Sequence, residues 1–269
     1  MRRATQDHST IFCEVTVIDV MRVSLPKDRL RAMPKEERAL LFLLGYAANQ
    51  ITLFSKLVIF SGNKTSPNPV EEQLSNAQSQ ILARVAIGVL AEAWELIHKR
   101  FIGTQIGKEF TPKLNPAGSR ALAALKTHFG GSNLLRKLRN NVAFHHPYST
   151  DMDAGFEAAA SDNMWDSDWN WYFSSALYNS FYFGSEVVIL HAILNAIEET
   201  DLIKAHERIM AELKQVSEPM IHFIFALNEA LLLKHLGAKI EGFTKITDAP
   251  GVFDVVLPFY VEVPDHAGA

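Results

Sequence analysis

With 269 residues, 48% of them hydrophobic and 21% charged, the chain is long enough to bury a full core and is neither disordered nor fibrous. A formal charge of −4 excludes a protein that is basic all over, so any nucleic-acid surface must be local. Cys13 is the only cysteine, which excludes a disulfide framework and a thiolate zinc cluster; the opening MRRATQDHST has no apolar run or cleavage pattern behind its arginines, so a cytoplasmic location is the default expectation.

Residues 10–25, TIFCEVTVIDVMRVSL, are rich in β-branched side chains and predict a strand, after which Pro26 and Pro34 bracket a short charged connection. The first long helix is expected over 35–60, with Glu36 and Glu37 in its first turn, where the helix dipole favours acids. Its apolar run from Ala39 to Phe60 is interrupted by Asn49, Gln50 and Lys56, which are costly near a bilayer centre, so a helix buried on most sides is expected rather than a membrane span. SGNKTSPNP is a loop by composition. Leu74, Ile81, Val85, Val89, Ala93 and Leu96 then recur at helical spacing and predict a second long helix over 70–101 that packs on the first. Glu95 and His98 form an ExxH pair, but a di-iron bundle needs two such pairs and further carboxylates, so no metal is expected.

Residues 102–116 read as a connection and 117–129 as a short helix stopped by Gly130-Gly131. A stretch over 151–168 is acidic and loop-like; it carries Trp165, followed by Trp169, Trp171 and Tyr172, aromatics that either stack on unpaired bases or anchor the packing. Another buried helix is expected over 171–196, and a further one over 201–235 that Pro219 kinks or splits. Residues 243–247 and 252–263, separated by DAPG, predict a β-hairpin that the N-terminal strand could join. The expectation is a single, mainly α domain over 1–269, with a helical core at about 35–235 and a small β appendage from the N- and C-terminal segments.

The remaining stretch, Leu134 to Pro147 (LLRKLRNNVAFHHP), concentrates the chemistry. Ser132 or Asn133 can cap a helix with Leu134, Leu135, Leu138 and Val142 on its apolar face, and Pro147 should stop it. Arg139, Asn140, His145 and His146 then sit in its C-terminal half. An arginine with a histidine and no metal suits phosphoryl transfer on RNA. The imidazole takes a proton from a ribose 2′-OH or returns one to the leaving 5′ oxygen, while the guanidinium offers a fixed fork of donors to the phosphate oxygens. With a 2′-OH as nucleophile, DNA should not be cut. At about 100° per residue, His146 shares the face of Arg139 whereas His145 is rotated by about 120°; unwinding at Pro147 could redirect His145.

Arg139, Asn140 and His145, with five residues between the first and the last, resemble the signature of the HEPN superfamily: an arginine, a polar residue and a histidine on the last helix of an α-helical bundle. His146, with six intervening, also fits, and the wording RNNVAFH is similar to HEPN-type ribonucleases of prokaryotic toxin and phage-defence systems. The specific likeness covers about ten residues, within helical context. It implies a HEPN-like helical bundle and a homodimer whose two motifs face each other across one cleft. The implied activity is metal-independent RNA cleavage to a 2′,3′-cyclic phosphate, without a cofactor. Arg139 would stabilise the pentavalent phosphate, His145 act as general acid or base with His146 as its reserve, and Asn140 position a phosphate or an imidazole. RNA, a second subunit and an antitoxin or regulatory protein are the partners it implies; a membrane is not among them.

Charge is sorted along the chain. No acid occurs from Phe110 through Thr150, while Lys113, Arg120, Lys126, Arg136, Lys137 and Arg139 supply a local basic field, with Arg136 and Lys137 placed to bind a phosphate backbone. No Lys or Arg occurs from Asn140 through Ile203, where Asp151, Asp153, Glu157, Asp162, Asp166 and Asp168 follow one another; that segment either neutralises the basic helices or gates a cleft. Two rivals stand beside the ribonuclease: a non-catalytic nucleotide- or RNA-binding scaffold of the same fold, and a membrane-associated effector built on the Ala39 to Phe60 run.

Overall fold

The computed structural model describes residues 18–62, 68–131, 133–139, 147–162, 169–175, 178–236 and 240–262. The architecture is mainly α, with a small β appendage from the N- and C-terminal segments. Two long helices, α2 (Lys35–Gly62) and α3 (Pro69–Arg100), pack on each other. They run antiparallel, since Glu36 at the start of α2 meets Arg100 at the end of α3 at 3.1 Å. Local chemistry sets the start of α3: Asn68 accepts from the Val70 N–H at 3.0 Å, Pro69 occupies the first turn, and Glu71 and Glu72 follow at the positive end of the dipole. The same device opens α5 (Pro116–Phe129), where Asn115 accepts from the Gly118 N–H at 2.8 Å.

The longest helix, α9 (Leu202–Leu236), lies against both α2 and α5. Pro219 neither splits nor ends it, contrary to one of the two expectations. The proline costs a backbone bond, but Val216, Met220, Phe223, Leu227 and Leu231 on the same helix are fully buried, and their burial outweighs that loss. Gly118 shows how tightly α5 sits on α9, because a Cβ there would lie 2.3 Å from that of Ala226. The core is closed by Phe101, Phe110 and Phe223, the first and last meeting edge to face at 5.3 Å.

Several expected elements are corrected. The connection between Pro26 and Pro34 contains a short helix, α1 (Lys27–Ala32), and the one after Phe101 contains α4 (Gln105–Phe110) and a 3-10 turn, Thr111–Lys113. The acidic stretch is not wholly a loop: Ser149–Ala160 forms α7, which packs on α8 (Phe183–Ile197) so closely that a Cβ on Gly155 would meet the Val188 carbonyl at 2.6 Å. The helix expected from Trp171 begins only at Phe183. Residues 169–175 and 178–182 instead run as irregular chain with a two-bond bridge between Tyr172 and Phe181, fastened by Ser180, whose hydroxyl accepts from the Ser174 N–H.

The predicted terminal hairpin is absent from the described residues. Strand β1 (Ile18–Val23) pairs antiparallel with β2 (Ile240–Ile246), setting Ile18 opposite Ile246. The N-terminal strand therefore does join the C-terminal segment. The other expected strand is irregular: Asn179 clasps Val261 by both of its backbone groups, at 2.7 and 3.0 Å, and the Leu257 N–H donates to the Phe60 carbonyl. Pro258 removes a further ladder donor from this stretch. Residues 1–17 lie outside the described residues.

By length and composition, α2 and α9 are each apolar enough to cross a membrane. Both also supply core: Leu40, Leu44 and Ile51 of α2 are buried, although Phe42, Tyr46 and Leu53 on its other side are exposed.

At the end where α2 begins and α9 stops, charges form a continuous chain. Glu37, nearly buried, accepts from Lys234 at 3.0 and 3.1 Å and lies 2.6 Å from His235 Nε2. Lys234 also reaches Glu109 at 2.8 Å, which in turn pairs with Lys113 at 2.8 Å. Burial works against the charge on Lys234, but the hydrogen bonds to Glu109 and Glu37 outweigh it and hold its pKa above the ordinary lysine value. The bonds from Lys113 and Lys234 lower that of Glu109 to about 2.

Candidate functional site

Arg139 follows α6 (Leu134–Leu138), a short helix set between α3, α8 and α9. Three things fix α6. Leu134, Leu135 and Leu138 are buried, anchoring one face. Asn133 caps the helix by accepting from the Arg136 N–H at 2.8 Å. Glu212 of α9 accepts from the Leu135 N–H at 3.2 Å, and His128 Nε2 lies 3.1 Å from the same oxygen without hydrogen-bond geometry. An acid at the first turn of a helix meets an orphan donor and the positive dipole end.

Helical geometry continues at Arg139, whose backbone N–H bonds back to Arg136 and Leu135. Its side chain turns to α3, where both Nε, at 2.9 Å, and Nη2 donate to Glu92 Oε1. The two side chains are 33% and 51% exposed, so the contact orients the guanidinium more than it stabilises the fold. Arg136 and Arg139 line a hollow of about 100 Å3 with Ala91, Trp94, Glu95 and Phe129. Trp94 and Phe129 form its floor as a stacked pair, with ring centres 4.6 Å apart and planes 8° from parallel.

Of the residues singled out from the sequence, Arg136 is exposed, Lys137 lies 3.6 Å from Glu198, and Arg139 is held by Glu92. Asn140, His145 and His146 lie outside the described residues, as does Trp165. Trp169 packs edge to face on Phe156 at 5.4 Å, as an anchor would, whereas Trp171 is more than half exposed beside Phe173 and Tyr182. The described partners of the basic segment are Glu109, Glu198 and Glu92, none of them in the acidic stretch. Among the described residues, no group of three or more His, Cys, Asp or Glu side chains is placed to hold a metal ion.

Sequence reasoning passed over a second polar site. Arg84 of α3 donates to Glu186 of α8 at 2.5 Å, with both side chains largely buried. A signal existed: Gln73, Asn76, Gln80 and Arg84 recur at spacings of three and four along α3, a polar row that runs from exposed Asn76 to half-buried Arg84. Comparison of the chain with protein-family models, with curated proteins and with solved structures finds no match.

Proposed function

We propose that the chain is a metal-independent endoribonuclease of the HEPN type, acting as a homodimer, with a toxin or phage-defence role. One observation supports this above others: Arg139, the first member of the Arg-Asn-x4-His motif, is carried on a doubly capped helix and held by Glu92 at the rim of a hollow that Arg136 shares. A guanidinium fixed in this way can meet a phosphate without first losing freedom.

In the proposed reaction the ribose 2′-oxygen bonds to phosphorus while the bond to the 5′-oxygen breaks. One imidazole, from His145 or His146, takes the 2′ proton; the imidazolium of the facing subunit protonates the leaving oxygen. Arg139 neutralises charge on the pentavalent phosphate, and Asn140 holds a phosphate oxygen or an imidazole. The products are a 2′,3′-cyclic phosphate and a 5′-hydroxyl.

The test is incubation of the purified protein with mixed RNA in EDTA. The expected result is cleavage that leaves cyclic phosphate ends, spares a deoxy substrate, and falls at least a hundredfold in Arg139→Ala and His145→Ala. RNA left intact by a protein that still binds it would overturn the reading. That outcome would favour the second reading, RNA retention without cleavage, which draws on the engagement of Arg139 by Glu92 and on the small size of the hollow.

A further inference from the structure

The ribbon of β1 and β2 has little behind it. Among the described residues its two strands pair with each other, and no helix lies along either one. Asp19, Val20, Arg22, Thr244, Lys245 and Ile246 are exposed, Val20 and Ile246 by 45% each. Two strands alone are marginal in water; a third strand with a buried face, or a helix packed against them, is needed for independent stability. In a two-stranded sheet each strand also has an outer edge of backbone donors and acceptors, a template for another strand.

The order of residues in β2 selects a partner for that edge. When two copies of one strand pair antiparallel, a twofold axis normal to the sheet sets opposed residues on the same face, so their numbers differ by an even amount. With Phe243 on the axis, Glu241 falls opposite the partner's Lys245, Gly242 opposite the partner's Thr244, and Ile240 opposite the partner's Ile246. Each of these pairs occurs twice. Moving the axis by one residue loses both charge pairs: centred on Gly242, Glu241 meets the partner's Phe243, and centred on Thr244, Lys245 meets it instead. Strand β1 offers no equivalent, because Asp19 and Arg22 are three apart and belong to opposite faces. Within the chain Asp19 already lies opposite Lys245. Adding the partner's Glu241 continues that row with alternating sign, and directly opposed unlike charges favour a register while like charges resist it.

We propose that β2 is an interface between two copies of this chain, joined edge to edge into one four-stranded antiparallel sheet with Phe243 on the twofold axis. Main-chain hydrogen bonds along β2 supply the attraction, and the two crossed pairs of Glu241 with Lys245 set the register. In an isolated chain the ribbon keeps only its own closure; in the dimer one of its edges is covered. This surface shares no residue with the hollow beside Arg139, so the inference does not rest on the ribonuclease reading.

The experiment uses the full chain. Sedimentation over a concentration series is expected to show a monomer–dimer equilibrium. Glu241→Lys sets like charges opposite each other twice and should weaken dimerisation at least tenfold. The triple variant Asp19→Lys/Glu241→Lys/Lys245→Glu inverts the whole row and should recover to within threefold of the unaltered chain. Circular dichroism checks that each variant keeps its helices. A second measurement reads the register through the backbone. In a chain carrying Cys13→Ser, Phe243→Cys places two thiols at opposed positions, where Cα atoms about 4.5–5.5 Å apart are within disulfide reach. Thr244→Cys places them two positions out of line, too far to bridge. Under copper-phenanthroline, Phe243→Cys should therefore form covalent dimer at least tenfold faster than Thr244→Cys. A chain that stays monomeric, a dimer that Glu241→Lys weakens less than threefold, or equal cross-linking at 243 and 244 would overturn the proposal. A dimer that survived in that way would be joined through another surface, such as one uniting two Arg139 motifs.

Discussion

Where α2 begins and α9 ends, Glu37, Lys234, Glu109 and Lys113 alternate in sign, and each charge meets the next at about hydrogen-bond distance. Midway along α3, Arg84 and Glu186 also meet closely, with both side chains largely buried, and one guanidinium nitrogen sealed from solvent has no hydrogen-bond partner among the described residues. The first cluster spends its hydrogen-bonding capacity on joining α2, α4 and α9, as a structural clamp does. The second joins α3 to α8 by a single ion pair. Half-exposed charges can share several partners and keep contact with water, whereas a buried pair depends on its one partner.

That contrast can be broken by substitution. The largest expected effect is at Glu37: Glu37→Leu leaves Lys234 and His235 without their shared acceptor and should cost about 3 kcal/mol in urea unfolding. Next comes Arg84→Met, expected to cost about 2 kcal/mol because Glu186 loses its cation, with Arg84→Met/Glu186→Met recovering at least half. A double variant no more stable than the single would show that the pair is not coupled.

Smaller effects follow from titration. Burial pushes the His191 pKa below 6.5, against an opposing pull from Asp162. The folded state thus binds its proton less readily than the unfolded state. This contribution to stability is complete above pH 6.5 and declines as pH falls from there through the folded value. His191→Gln should flatten that part of the pH profile in thermal unfolding. Smallest is Glu109, whose carboxyl carbon should titrate near pH 2 by NMR and move upward in Lys113→Ala. Its depressed value supports the fold above the unfolded midpoint near 4.5, and that support fades as pH drops toward 2.

The starts of α3 and α5 lie one residue from those expected, and Asn68-Pro69 and Asn115-Pro116 carry a local signal that the expectation did not use, a cap followed by a preset φ. The mainly α architecture and the meeting of the terminal segments were legible, from apolar spacing and β-branched content. Helix α7 was not, because its acids drew attention from Ala154, Ala158, Ala159 and Ala160, which favour helix. The start of α8 was placed too early because Trp171 and Tyr172 look apolar in sequence, while the turn-forming residues Asn170, Ser174, Asn179 and Ser180 control the backbone there. At the candidate site the capped helix and its leucine face were readable. The hold of Glu92 on Arg139 was not readable, since a contact between α3 and the end of α6 is a tertiary fact that no local pattern encodes.

The ribbon of β1 and β2 joins residues from nearly opposite ends of the described chain, and Ile18, Val20 and Ile246 are almost half exposed. Little apolar burial rewards its closure, and closure must await the helices that bring its two strands together. It is therefore expected to assemble last and to exchange its amide hydrogens soonest, acting as a latch that reports on whether everything inside the loop is already in place.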